Sequence, residues 1–451
     1  MSLYSYFRIS KPFERKVPPE RVQNEYKRLR NRTFWGVTLV YALFYVCRMT
    51  LNVVKQPLID EGLFSAAQLG IIGSAMLVAY AFGKFANGFM ADYCNLRRFM
   101  GAGLLVSAAI NLILGLLGLL RGLGGFASVL LFAFFALLWG VNGWAQSMGA
   151  PPAVISLSRW FPLKSRGTFY SILSATPYLG KALTFVLTGL IVGAAGWQAG
   201  FFFSALAGFG GVALVAWLVT DTPQSAGLPS VAELSGEPVL KTDLLPTKDL
   251  QKKVARHRGI WIIALSSAFV YIAQYAVSGW GVLFLQKGKS FSLAGATQVI
   301  AFSEAFGIAG TILAGWLSDK LFRGNRLWPV LLSGLLCSFS LAAFLFSGKG
   351  YAANVFWVSL FSLAIGVLYC IVAGIMALDI VPRKATGAAL GLVGIFSYVA
   401  AGIQDVVSGL LIGGKGEAMD FGPVSIFWVA ASLLSFAVPL LFWRSLRRPV
   451  A

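Results

Sequence analysis

Three cations and two acids, Arg48, Lys84, Lys181, Glu304 and Asp405, lie inside stretches that are otherwise apolar. An ionised side chain at mid-bilayer depth costs at least ~2.5–3.5 kcal/mol, so it should face a partner or an interior cavity. Tyr41, Tyr45 and Arg48 stand at i, i+4 and i+7, which places them on one helix face. Tyr80 and Lys84 repeat the four-residue spacing, and Tyr271 and Gln274 are three apart. Each stripe sets an aromatic wall and a hydroxyl beside a cation or an amide, and Tyr398 offers another such ring in a later run. A guanidinium gives paired hydrogen bonds to phosphate or carboxylate oxygens. The chemistry that fits is reversible capture of a small polar anion with a carbon skeleton. The cations belong to the first half of the chain and the acids to the second. Glu304 and Asp405 are therefore expected either to pair with cations when the site is empty or to carry protons.

Bond-making chemistry has little to build on. The single His257 sits in a basic stretch, and Cys47, Cys94, Cys337 and Cys370 are far apart. No spacing suggests a metal site, a disulfide framework or a nucleophile with its base. The expectation is no metal, no cofactor and no enzymatic activity.

The elements that position these residues follow from composition. Of 451 residues, 57% are hydrophobic and 12% charged, which excludes a soluble domain or a disordered chain. A bilayer core needs about 20 apolar residues per helix. Twelve such runs are read at 33–53, 68–90, 99–120, 126–150, 167–193, 197–219, 259–285, 295–317, 327–347, 352–377, 386–412 and 421–443. The predicted fold is an all-α membrane protein of twelve helices in two pseudo-symmetric six-helix halves. The divisions are an N-terminal segment 1–32, a first bundle 33–219, a central loop 220–258, a second bundle 259–443 and a tail 444–451.

The net charge of +20 is read as topology rather than as nucleic-acid binding, because the basic residues sit between apolar runs. With the termini, 28 lysines and arginines fall on one side; the opposite loops hold six, Lys55, Arg121, Lys287, Lys289, Lys349 and Lys415. Both termini are thus expected in the cytoplasm. No early apolar stretch suggests a cleavable leader. The partners expected are the lipid bilayer and a small anion, and the chain is expected to act as a monomer.

An internal repeat supports two halves. Gly88-Phe-Met-Ala-Asp92, followed by Arg97 and Arg98, recurs 227 residues later as Gly315-Trp-Leu-Ser-Asp319, followed by Lys320. Glycine lets helices approach, and the aspartate can accept from a neighbouring helix N-terminus or a basic side chain. These residues are read as a gate on the side of the termini.

This layout resembles the major facilitator superfamily, and particular segments resemble its organophosphate:phosphate antiporter family. They are Tyr41-Ala-Leu-Phe-Tyr45-Val-Cys-Arg48, Ala79-Tyr80-Ala-Phe-Gly-Lys84, and Asn142-Gly143 through Pro151-Pro152 with Arg159-Trp160-Phe161 after them. Asp221-Thr-Pro223, Glu304 to Lys320, and Pro382-Arg-Lys384 add to the likeness. The resemblance implies a rocker-switch exchanger of the bacterial inner membrane, with Arg48 holding phosphate and Lys84 and the tyrosines nearby. It implies a sugar phosphate or glycerol 3-phosphate as substrate and inorganic phosphate as counter-substrate.

Three departures stand out. Where the family carries a second arginine in the seventh helix, the repeat places Gln274. The family's fifth-helix histidine corresponds to Pro177, with Lys181 one turn later. Ala153-Val154-Ile155 replaces a common Cys-Gly-basic run. Lys181 could restore the cation lost at Gln274. Alternatively, the ligand carries less charge, the protein senses sugar phosphates instead of exchanging them, or Glu304 or Asp405 couples protons to uptake of another organic anion.

Overall fold

The computed structural model describes residues 6–91, 93–119, 126–235, 247–317, 321–322, 325–380, 386–413 and 419–443. Within them, twelve helices are long and apolar enough to cross a membrane, by length and composition. The first half contains α1 (Pro19–Asp60), α2 (Ala66–Ala91), α3 (Leu96–Leu117), α4 (Phe126–Gln146), α5 (Ala150–Trp160), α6 (Leu163–Ala195) and α7 (Trp197–Leu218). The second contains α8 (Arg258–Leu283), α9 (Leu293–Trp316), α10 (Leu327–Phe346), α11 (Tyr351–Cys370), α12 (Thr386–Ile412) and α13 (Gly422–Leu441). Among the described residues no strand forms beyond an isolated bridge between Arg8 and Cys94.

Helix ends depart from the apolar runs for local reasons. Helix α1 begins at Pro19, well before the run at 33, because proline suits the first helical turn and the charged residues after it are good helix formers. Hydropathy marks only the length that lipid covers. The fourth span is broken: α4 ends at Gln146 and α5 restarts at Ala150, with prolines at its start that cannot donate backbone hydrogen bonds. The 220–258 segment is also partly helical, at Val231–Ser235 and Thr247–Arg256.

One residue counted as a loop cation belongs elsewhere. Lys55 lies inside α1 and is 1% exposed, because α1 runs on to Asp60. Its ammonium is held by groups of the opposite half, so this position contributes nothing to the loop-charge asymmetry.

The halves meet through three pairs of helices: α1 with α8, α2 with α12, and α6 with α9. Small residues set the closeness of the second pair. A Cβ added at Gly73 would lie 1.9 Å from Asp405 Oδ2, and one at Gly409 would lie 2.4 Å from the Ala66 carbonyl oxygen. Toward the end of the bundle that carries the termini, the same helices part. Gly88 and Gly391, one turn beyond Lys84 and just before Gly394, have nothing within 4 Å of a built Cβ. The two helices thus touch closely at the far end and leave Gly88 and Gly391 uncovered at the terminal end.

Candidate functional site: an arginine without a carboxylate

Arg48 lies in α1 where that helix faces α8, and it is 4% exposed. Its Nη2 donates to the Tyr275 hydroxyl at 2.9 Å. The guanidinium carbon sits 4.2 Å from the Tyr80 ring centre, 5.6 Å from Tyr45 and 5.7 Å from Tyr398. Nε is buried with no hydrogen-bond partner. Among the described residues no carboxylate pairs with Arg48, although every other cation deep between the halves except Lys84 has one. Ring faces attract a cation, at about 0.5–2 kcal/mol each, but supply no hydrogen-bond acceptor for the guanidinium fork.

Aromatic residues of both halves build the cage. Tyr80 and Tyr398 pack at 4.6 Å across the interface of α2 and α12. Tyr271 stacks on Tyr275 at 6.0 Å and on Tyr369 at 5.3 Å, and its hydroxyl donates to that of Tyr369 at 2.9 Å. Tyr41 reaches the group edge-on through Tyr45, at 5.6 Å. Lys84 completes it: its Nζ stands 5.1 Å from the Tyr398 ring centre and it is partly exposed. No acid among the described residues pairs with it. Every tyrosine singled out from the sequence lies in this one aromatic group.

Lys181 and Glu304 form a separate station. Lys181 Nζ pairs with Glu304 Oε2 at 2.6 Å, joining α6 of one half to α9 of the other, with both side chains 7% exposed. The ammonium also lies 4.6 Å from the Tyr178 ring centre. Lys181 is thus not a free third cation in this conformation. A pocket beside the pair is lined by Tyr178, Gln274, Ser278, Ser303, Glu304 and Ser362. Gln274 faces this pocket, and its side-chain oxygen is buried without a partner.

The repeat explains why Tyr275 rather than Gln274 meets Arg48. Arg48 and Tyr275 are 227 residues apart, the offset that separates Gly88 from Gly315. Residues near the pseudo-two-fold axis touch their own counterparts. Further out, Asn52 Nδ2 donates to the Ser278 carbonyl and Lys55 Nζ to that of Gly279. Lys55 also lies 3.8 Å from Asp405 and 3.5 Å from the Trp280 ring centre, while Trp280 Nε1 donates to Asp405 at 2.6 Å. Asp60 and Lys287 pair at the rim. These contacts close the far end above Arg48. Tyr275 could have been found by the four-residue step from Tyr271. Lys55 was hidden by its position past the apolar run, and Tyr369, with no charged or aromatic residue within one turn of it, gave no spacing signal.

The residues read as a gate are placed differently. Asp92, Asp319 and Lys320 lie outside the described residues. Gly88 and Gly315 are helical. Arg97 and Arg98 bond within the first half, to the carbonyls of Ala216 at 3.4 Å and Tyr6 at 2.7 Å. In the first half, the described acid that gathers contacts at this end is Asp221, whose carboxylate accepts from Arg159 at 2.6 Å and from the backbone N–H groups of Ser10 and Leu96 at 2.8 and 2.9 Å. It staples the N-terminal segment, the start of α3 and the end of α5 to the end of α7.

Comparison with known proteins agrees with this architecture. The Major Facilitator Superfamily family model matches residues 37–404. The chain is 32% identical over 422 residues to a probable hexose phosphate transport protein of Chlamydia pneumoniae, covering 88% of each. It is 29% identical over 447 residues to the glycerol-3-phosphate transporter of Bacillus subtilis, covering 97% of each. Its fold is similar to that of a bacterial homologue of the human lysosomal transporter Spinster in an inward-facing, unoccupied conformation, with a TM-score of 0.76, 17% identity, and 93% and 98% of the two chains covered. The chain is an integral inner-membrane protein that belongs to the major facilitator superfamily and, within it, to the organophosphate:phosphate antiporter family.

Proposed function

We propose that this protein carries a small phosphorylated metabolite, a sugar phosphate or glycerol 3-phosphate, across the membrane in exchange for inorganic phosphate. The observation that supports this most is Arg48: a buried guanidinium at the interface between the halves, with one neutral hydrogen bond and, among the described residues, no carboxylate. Leaving a buried charge uncompensated costs several kcal/mol, and an entering phosphate offsets that cost by supplying the missing counter-charge. Lys84 adds a second cation on the same side, with no acid paired to it among the described residues. The names of the relatives point to the same substrate class.

Exchange follows from the same charge. Arg48 and Lys84 belong to the first half, and Tyr271, Tyr275, Tyr369 and Tyr398 to the second, so an anion among them draws the halves together. Closing at the terminal end then requires the far-end contacts, Lys55 with Asp405 and Asp60 with Lys287, to part. An empty carrier would make this passage with its guanidinium unpaired, whereas either phosphate or the ester lets it pass neutralised. With the termini in the cytoplasm, as the loop charges suggest, the present conformation opens inward. No bond is made or broken, and the chain works as a monomer.

Counterflow of labelled phosphate into phosphate-loaded proteoliposomes tests the reading. Internal phosphate should accelerate uptake, and external glycerol 3-phosphate or glucose 6-phosphate should compete. Binding without counterflow would make the protein a sensor. Uptake into phosphate-free vesicles driven by a pH gradient would make it a proton-coupled transporter.

A further inference from the structure

We infer that the Lys181–Glu304 pair and the pocket beside it form a filter for the organic part of the substrate, which accepts a neutral polyhydroxy body and rejects a second carboxylate. The inference deepens the proposed function and rests on that reading for the phosphate end.

It follows from which polar atoms in the pocket lack partners. Glu304 uses Oε2 to bind Lys181, and among the described residues no donor is seen on its other oxygen. Gln274 presents a side-chain oxygen buried without a donor. Both of these positions are acceptors. Two of the lining hydroxyls already donate elsewhere, Ser278 Oγ to the Gln274 carbonyl at 3.0 Å and Ser303 Oγ to that of Ile300 at 2.8 Å. A ligand completing this set must bring O–H donors, as a sugar or glycerol does. A carboxylate would set more acceptors against acceptors, and a negative charge against Glu304.

Charge balance points the same way. Without Glu304, Lys181 would be a third free cation and would attract an extra anionic group. Paired at 2.6 Å, it leaves Arg48 and Lys84 as the interface cations without an acid among the described residues, which matches one phosphate and no further charge. The pocket is also correctly placed: Gln274 lines it, and the next residue, Tyr275, holds Arg48.

The probes are glycerol 3-phosphate and 3-phosphoglycerate, which share a three-carbon phosphate ester and differ in whether a hydroxyl or a carboxylate ends it. Thermal stabilisation of the purified protein reads binding, and inhibition of phosphate counterflow reads transport. The wild type should prefer glycerol 3-phosphate by at least about tenfold, the scale on which a polar mismatch is rejected. Glu304→Gln frees Lys181 and should cut that preference at least about tenfold, chiefly by improved binding of 3-phosphoglycerate. The double variant Lys181→Met/Glu304→Gln removes the pair without leaving a charge, and should not gain 3-phosphoglycerate binding. Equal affinity for the two esters in the wild type would overturn the filter, and that measurement needs no variant to fold. An unchanged ratio in a folded Glu304→Gln protein would overturn it too. Absence of counterflow with selective stabilisation intact would count against exchange and leave the filter standing.

Discussion

Replacing Arg48 should separate function from stability. Its fork can donate two charge-assisted hydrogen bonds to one phosphate, each worth about 1.5–3 kcal/mol. Arg48→Lys keeps the charge but loses one of the pair, so affinity should fall about 10- to 150-fold. Arg48→Met loses both, about 3–6 kcal/mol, which takes binding down by at least about two orders of magnitude and abolishes counterflow. The empty protein should not suffer in proportion. In the unloaded structure Arg48 gives one hydrogen bond, to Tyr275, and three ring contacts. Against these stands the penalty of several kcal/mol for withdrawing an ion from water. The melting temperature of Arg48→Met in detergent should therefore equal or exceed that of the wild type, while stabilisation by added phosphate disappears. Two results would refute the reasoning: normal apparent affinity in Arg48→Lys, or a collapse of the melting temperature in Arg48→Met.

Four further predictions concern the conformational cycle and the scaffold. Cysteines at Asp60 and Lys287, residues that pair across the halves, should form a disulfide on oxidation that stops transport, with recovery on reduction; continued exchange in the crosslinked protein would mean that the far end need not open. Gly73→Ala puts a carbon 1.9 Å from Asp405 Oδ2 and should loosen the far end, whereas Gly391→Ala meets empty space and should be silent; far-end alkylation of a cysteine placed at Ser278 would report the difference. Asp221→Asn removes the charge that holds Arg159 and two backbone N–H groups and should cost about 3–5 kcal/mol, seen as a lower unfolding temperature. Exposed Arg97, with a 3.4 Å bond, should tolerate glutamine within about 0.5 kcal/mol.

The twelve spans were legible because lipid imposes a length and a composition that no other environment demands. What escaped was whatever hydropathy does not measure. The start of α1 at Pro19 depends on the helix propensity of charged residues that sit in water. The break before α5 depends on two prolines whose neighbours are apolar enough to read as one run. Lys55 was lost for a related reason: a run stops at its last apolar residue, but α1 continues for another two turns into a closed interface where Asp405 receives the ammonium. A buried cation and a loop cation look alike in one sequence when the partner is 350 residues away.

The site shows how far helical spacing reaches. Spacing within one helix correctly gathered Tyr41, Tyr45 and Arg48, since it needs nothing beyond the helix itself. Which acid meets which cation is set between helices, and there the sequence offered only the contrast of a positive first half and a negative second half. Two of the buried cations resolve that contrast by pairing across the interface, Lys55 with Asp405 and Lys181 with Glu304. Both pairs tie one half to the other, so both bear on the rocking that alternating access requires. Among the described residues no carboxylate reaches Arg48 or Lys84. A protein selected for stability alone would have placed a carboxylate there or removed the charges. Their persistence at the interface makes sense when the missing acid arrives with the substrate, and the two halves exchange conformations only while it is held.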